Sequence, residues 1–159
     1  MNDVESELDA EVSAKKSVRI TVTADPLDFT PWVYFWMEAE YPGGGGKKVG
    51  ENLKFDKRKG GFEMTFSLVD NTGLSLAFYR DFADAIWVAR GPKCPTQAGD
   101  GGAITPVSVA EKELIVTNAN DLPELLTFAL RFRGNASDGA FPPYVYDPKI
   151  INGGGTNLL

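Results

Sequence analysis

A regular alternation of apolar and polar side chains between Phe62 and Leu68 most strongly limits the folds open to this chain. The letters FEMTFSL place phenylalanine, methionine and leucine on one side of an extended strand and polar residues on the other. This period of two is typical of a half-buried β-strand. The DNTG sequence of Asp70–Gly73 favours a turn, and an apolar strand pattern follows over Leu74–Tyr79. We therefore predict a β-hairpin over 62–79.

The same strand pattern recurs along most of the chain. Further strands are predicted over 18–23, 32–37, 53–55, 107–109, 114–117 and 144–151. The lysine in Leu53–Phe55 suggests an edge strand, because charge discourages edge-to-edge pairing. The last strand is interrupted by Asp147-Pro148 and is expected at an edge or with a bulge, because proline lacks the N–H of the ladder.

Two segments carry conflicting signals. Residues 81–90 place several apolar side chains on one helical face, but their Ile-Trp-Val run favours a strand, which we prefer. In residues 122–133, Pro123 and Glu124 follow Asp121, which is typical of a helix start. Their later alternation of leucine and phenylalanine with polar or small residues again favours a strand.

These patterns together predict an all-β protein, an antiparallel immunoglobulin-like β-sandwich of roughly eight or nine short strands. The length of 159 residues fits a single domain, which we place at 17–152. Residues 1–16 are expected to form a disordered acidic tail, and residues 153–159 a flexible Gly-rich tail.

The closing segment Tyr146–Asn152, with the sequence YDPKIIN, carries a family resemblance. Together with the order of strands, it resembles small bacterial β-sandwich proteins of the DP-EP type, which end in a similar Asp-Pro-x-Ile-x-Asn strand. The resemblance covers this short segment and the general β pattern. The family has no agreed activity, so the resemblance assigns no functional residue.

The residue types exclude several kinds of catalytic and metal site. The chain has no histidine and a single cysteine, Cys94, which excludes His-dependent nucleophilic catalysis, an internal disulfide and a structural zinc site. Gly46-Lys47 does not complete a phosphate-binding loop, because position 41 is tyrosine and position 48 is lysine. We predict no catalytic residue and no cofactor.

Loop aspartates leave calcium open as an alternative, since calcium prefers oxygen ligands. The candidates are Asp25, Asp28, Asp100, Asp138 and Asp147. They lack the spacing of an EF-hand, and turn formation is the commoner role of such residues. We therefore predict no metal site.

The net charge of −6 is spread unevenly. Residues 1–16 hold five acids and two lysines, whereas 47–59 holds six bases and two acids. An acidic tail and a basic hairpin are expected to attract each other, within one molecule or between two. The predicted charged contact surface comprises Lys47, Lys48, Lys57, Arg58 and Lys59. The overall negative charge argues against nucleic acid as a partner.

The most aromatic stretch is the predicted strand that follows Pro31. It places Trp32, Tyr34 and Trp36 on the face opposite to Val33 and Phe35. Such residues either pack beneath a loop or present a ridge for a ligand or partner.

We therefore predict a non-enzymatic β-sandwich that acts by protein binding or self-association, as a homo-oligomer or with a protein partner. The alternative is a module that stacks a small ligand, such as a carbohydrate, on its aromatic face. The acidic N-terminus has no apolar core of a signal peptide, and no apolar run approaches the ~18 residues of a membrane span. A cytoplasmic protein without a membrane partner is the resulting expectation.

Overall fold

The computed structural model describes residues 16–27, 33–57, 60–98, 102–134 and 143–154. Within these ranges it contains twelve strands and one helical turn. In chain order the elements are β1 (Lys16–Pro26), β2 (Val33–Glu40), β3 (Gly46–Val49), β4 (Asn52–Phe55), β5 (Phe62–Asp70), β6 (Ala77–Phe78), α1 (Phe82–Ala85), β7 (Ile86–Arg90), β8 (Ile104–Val109), β9 (Glu113–Asn118), β10 (Pro123–Arg133), β11 (Tyr144–Tyr146) and β12 (Lys149–Gly153). The all-β prediction is confirmed, with more strands than expected.

The first sheet has five strands in the order β2-β1-β5-β9-β8. Alternate side chains of β1 and β5 are buried, as the sequence pattern predicted. The prediction of purely antiparallel pairing is wrong, because β1 and β5 run parallel from Lys16 opposite Phe62 to Ala24 opposite Asp70. Parallel neighbours need a long crossover, and here the chain between them passes through the second sheet.

The second sheet is built around β10. The strands β12 and β11 lie in line along one side of β10, and β7 and β6 lie in line along its other side. Beyond β12 come β4, which is parallel to it, and then β3 at the edge. The break between β11 and β12 falls at Asp147-Pro148, as expected of proline. The segment Leu53–Phe55 is therefore not an edge strand, because β3 covers it.

The predicted hairpin over 62–79 is wrong. The strand β5 lies in the first sheet, whereas Ala77–Phe78 pairs with β10 in the second. The turn itself forms: the Asp70 carboxylate accepts hydrogen bonds from the Thr72 backbone N–H (2.9 Å) and the Leu76 backbone N–H (2.8 Å). The bond from the Leu76 N–H, six residues after Asp70, holds the segment that leads from the first sheet to the second. Local turn signals could not reveal that change of sheet.

The two ambiguous segments resolve differently. Residues 123–133 form one continuous strand, so the preferred interpretation of 122–133 is confirmed. Residues 81–90 contain both predicted alternatives, because Phe82–Ala85 form the single helical turn α1 and Ile86–Arg90 form the preferred strand, β7. The turn interrupts the line of β6 and β7 along β10, and it buries Ala85.

Phenylalanine side chains join the inner faces of the two sheets. The rings of Phe55 and Phe62 lie 4.7 Å apart, and those of Phe66 and Phe128 lie 5.6 Å apart. In each pair one ring comes from the second sheet and the other from the first. Buried phenylalanines contribute several kcal/mol each, about 3–5 when truncated to alanine, so these contacts fix the two-layer arrangement.

A buried amide pair forms a second bridge between the sheets. The Asn118 side-chain amide donates to Asn152 Oδ1 (2.8 Å), and the Asn152 amide donates to Asn118 Oδ1 (2.9 Å). Asn120 extends the network: its backbone N–H donates to Asn118 Oδ1, and its Oδ1 accepts from the Gly154 N–H. Asn152 is the residue that ends the Asp-Pro-x-Ile-x-Asn segment, and its role in this fold is to hold β12 against β9.

Candidate functional site

The strand β2 is an open edge of the first sheet. It pairs with β1 over eight residue pairs, from Pro26 opposite Val33 to Arg19 opposite Glu40, without a register shift. Within the described residues, no strand lies on its other side. An edge strand of this kind presents a row of unpaired backbone N–H and C=O groups.

The other sheet edges among the described residues are each interrupted or short. The strand β8 contains Pro106 and a bulge between Pro106 and Ser108. The strand β3 has four residues, two of which are lysines. The edge formed by β6 and β7 is broken by α1. Proline, bulges, short length and charged side chains, above all lysine, are the devices that prevent edge-to-edge pairing. The eight residues of β2 contain no proline, bulge or lysine, and their charged residues are Glu38 and Glu40.

Side chains of β2 alternate between the core and solvent. Facing inward, the Phe35 ring stacks on those of Phe132 (5.2 Å) and Tyr146 (5.7 Å), and Met37 is buried. Facing outward, Tyr34 is 53% exposed and Trp36 is half-buried. The predicted alternation along this strand is therefore confirmed.

The outward tryptophan is held by a carboxylate. The Trp36 indole N–H donates to Asp25 Oδ2 (2.7 Å), and the Asn71 amide donates to Asp25 Oδ1 (2.8 Å). The bond from Asn71, followed by that from Trp36, lowers the pKa of Asp25 below its ordinary value. Of the predicted aromatic residues, Tyr34 and Trp36 share a face, while Trp32 lies outside the described residues.

The predicted charged contact surface is divided by the structure. Lys47 and Lys48 lie on β3, in an antiparallel hairpin with β4, and Lys57 lies exposed beyond β4. Arg58 and Lys59 lie outside the described residues. The hairpin adds Lys54, directly opposite Lys47.

The pairing of β12 with β4 brings Lys149 onto the same face. Lys149 lies opposite Asn52 on β4, next to the row of Lys47 and Lys54. Lys149 was not among the predicted residues, because this parallel pairing joins segments almost one hundred positions apart and no local pattern signals it.

A cavity of about 280 Å³ lies at one end of the molecule, beside β7, β8 and β10. Its polar lining residues include Arg90, Thr105, Asp121 and Glu124. Arg90 Nε lies 3.2 Å from Glu124 Oε1, and the Glu124 side chain is only 13% exposed. The Arg90 guanidinium is therefore neutralised by a neighbouring carboxylate of the same lining.

Two phenols and the thiol are held in their protonated forms. Burial, followed by the bond that the Tyr146 hydroxyl donates to Glu51 Oε1, raises the pKa of Tyr146 far above its ordinary value. Burial likewise raises the pKa of Tyr41. Burial and a hydrogen bond with Asp147 raise the pKa of Cys94 to about 11. A thiol of this pKa has little thiolate at neutral pH and is a poor nucleophile.

The loop aspartates do not assemble within the described part of the chain. Asp25 is bonded to Trp36 and Asn71, while Asp28, Asp100 and Asp138 lie outside it. Among the described residues, no group of three carboxylate or thiol side chains is placed to hold a metal ion. In the same ranges, no helix is long and apolar enough to cross a membrane.

Comparisons with known proteins leave the family open. No protein-family model matches the chain, and no curated protein matches it. A solved structure with some likeness is an inclusion body protein, PixA, from Burkholderia cenocepacia J2315. It aligns at a TM-score of 0.43 and 13% identity, over 87% of this chain and 96% of that chain. A likeness of this size defines neither a family nor an activity.

Proposed function

We propose that this protein is a non-enzymatic β-structured protein that self-associates by adding strands at the β2 edge. The observation that carries the proposal is the difference between β2 and the other described edges, since only β2 is long and regular and lacks proline, a bulge and lysine. Addition of a strand to an open edge is a common mode of protein recognition, because backbone hydrogen bonds supply the affinity.

The outer surface of β2 suits a second copy of the same strand. An antiparallel pair of β2 strands centred on Met37 places Tyr34 opposite Glu40 and Trp36 opposite Glu38, by the spacing of the residues. No pair of like charges is then directly opposed, which avoids the repulsion that such pairs cause. The proposal takes the protein to be cytoplasmic and its fold to be an immunoglobulin-like sandwich with mixed sheets.

Two proline variants test this mode of association. Consecutive N–H groups of an edge strand point alternately toward its neighbour and toward solvent. Of Glu38→Pro and Ala39→Pro, one therefore removes a bond to β1, and the other removes only a donor of the open edge. We expect the mass measured by light scattering to rise with protein concentration in the wild type. The variant that keeps the wild-type melting temperature should stay monomeric.

The matched control is Val107→Pro on β8, which changes an edge that already carries a bulge. This variant should associate as the wild type does. A wild-type protein that stays monomeric, or a well-folded edge variant that associates normally, would overturn the proposal.

A second candidate is stacking of a small ligand, such as a carbohydrate, on the outward face of β2. Its support is the exposure of Tyr34 beside the half-buried Trp36. Tyr34→Ala should weaken such binding about fivefold or more without lowering the melting temperature, since stacking on one aromatic ring contributes on the order of 1 kcal/mol. Equal binding by the variant and the wild type in titration calorimetry would reject this candidate.

A further inference from the structure

We infer that the acidic N-terminal segment, residues 1–15, docks on a lysine strip of its own domain. The lysine strip comprises Lys47, Lys54 and Lys149, on the outward face of the second sheet. This inference does not depend on strand pairing at β2, because it concerns the edge of the other sheet.

The lysine strip is an unbalanced patch of positive charge. Lys47 and Lys54 are directly opposite each other on β3 and β4, and both are exposed. Like charges in this position repel each other. The ion pairs among the described residues are Arg19–Glu40, Arg90–Glu124 and Arg133–Glu111, so none involves the strip.

Nearby carboxylates only partly offset these lysines. Glu51 lies in the turn between β3 and β4, where its side chain accepts the Tyr146 hydroxyl. Asp56 follows β4, and Asp147 precedes Lys149. With Lys48 and Lys57 included, lysines outnumber carboxylates in this region, and the surface therefore attracts an anionic chain.

The described chain begins near the edge strand β3, on the side of that strand that faces the first sheet. The Lys16 ammonium donates to the Gly43 carbonyl oxygen (3.4 Å). A Cβ atom placed on Gly45 would lie 3.2 Å from Lys16 Cδ, so the Lys16 side chain also lies beside Gly45. Gly45 leads directly into β3 at Gly46. Lys16, to which residues 1–15 are joined, therefore lies near β3, the edge strand that carries Lys47.

The segment has the charge and the reach that this site requires. It contains Asp3, Glu5, Glu7, Asp9 and Glu11, against one lysine. Fifteen residues span up to ~50 Å when extended, whereas three neighbouring strands cover only ~10 Å. Attachment to the same domain gives the segment an effective concentration on the order of millimolar. This favours docking within one molecule over docking on a second copy.

A spin label on the full chain tests the inference. The variant Leu8→Cys with Cys94→Ser carries a nitroxide in the acidic segment, and NMR records broadening of backbone amide signals. We expect loss of the amide signals of Lys47, Lys54 and Lys149 at about 0.01 M salt. The signals should return at about 1 M, because the Debye length falls from ~30 Å to ~3 Å.

Charge variants and a mixed sample separate the outcomes. Lys47→Gln with Lys54→Gln should abolish the broadening. The matched control Lys112→Gln should leave the broadening unchanged. Lys112 lies in the turn between β8 and β9 of the first sheet, away from the strip, and its ammonium donates to the Leu76 carbonyl oxygen. A mixture of isotope-labelled chain without nitroxide and unlabelled chain with nitroxide should show no broadening at the strip. Broadening only in the mixture would place the segment on a second copy and overturn the inference. Absence of broadening, or broadening unaffected by salt or by the lysine variants, would also overturn it.

Discussion

Replacement of Asn152 by alanine provides a quantitative test of the bridge between the sheets. The Asn118 and Asn152 amides exchange two hydrogen bonds of 2.8 and 2.9 Å, and both residues are buried. Asn152→Ala removes both bonds. The Asn118 amide then has no acceptor in a place from which water is excluded, while Asn118 Oδ1 still accepts from the Asn120 N–H.

The expected cost follows from these two losses. A hydrogen bond contributes about 1 kcal/mol net, and a buried polar group left unsatisfied costs about 1–3 kcal/mol. These effects overlap, so we expect the free energy of unfolding to fall by about 2–4 kcal/mol. For a chain of this length, about 1 kcal/mol shifts the melting temperature by roughly 2–4 °C, which gives a decrease of roughly 5–15 °C.

Urea unfolding monitored by tryptophan fluorescence measures this loss as a lower midpoint with an unchanged slope. The control is Asn52→Ala on the neighbouring strand β4, since Asn52 is half-buried and makes no side-chain hydrogen bond within the described residues. The control should change stability by less than about 0.5 kcal/mol. The double variant with Asn118→Ala should lose less than the sum of the single variants, because the residues are directly coupled. A loss below about 0.5 kcal/mol for Asn152→Ala would refute the reasoning.

Three other perturbations follow from single contacts. Burial raises the pKa of Asp70, but hydrogen bonds from Thr72 and the Leu76 N–H outweigh it, so the folded pKa is lowered. The ionised carboxylate therefore stabilises the fold at pH values above the pKa of Asp70 in the unfolded chain, and this stabilisation is lost as the pH falls through the pKa in the folded protein. Asp70→Asn should lower the free energy of unfolding, measured in urea at pH 7, by about 1–2 kcal/mol. This difference should narrow below about pH 4, and a difference constant with pH would contradict it. Cys94 should react with iodoacetamide more slowly at pH 8 than a free thiol, because its pKa is raised to about 11. Mass spectrometry measures the rate of this reaction, and a rate equal to that of a free thiol would argue against the contact with Asp147. Gly46→Ala should reduce the folded fraction measured by circular dichroism, because its Cβ would lie 2.2 Å from the Lys54 carbonyl oxygen; wild-type stability would show that β3 can shift.

Local patterns in the sequence identified the strands better than their partners. The alternations in β1, β5 and β10 are properties of each segment, so they could be recognised directly. The partner of a strand depends on distant residues, as in the parallel pairing of β1 with β5. The turn at Asp70 was predicted, but the hairpin was not formed, because the same carboxylate bonds the Leu76 N–H on the way to the other sheet.

The candidate site shows the same limit. The outward position of Tyr34 follows from alternation, and the structure agrees. The bond between Trp36 and Asp25 joins two strands and could not be inferred from either one. That β2 is an edge follows from the order of the whole sheet, which no local pattern encodes.

The most direct test of self-association at β2 is hydrogen exchange of its backbone amides at low and high protein concentration. An amide that points away from β1 exchanges readily in the monomer and becomes protected when another strand pairs with it. We predict that protection of alternate amides in Val33–Glu40 increases with concentration, while the amides of β8 do not change. Exchange in β2 that is independent of concentration, or new protection at β8 instead, would contradict the account.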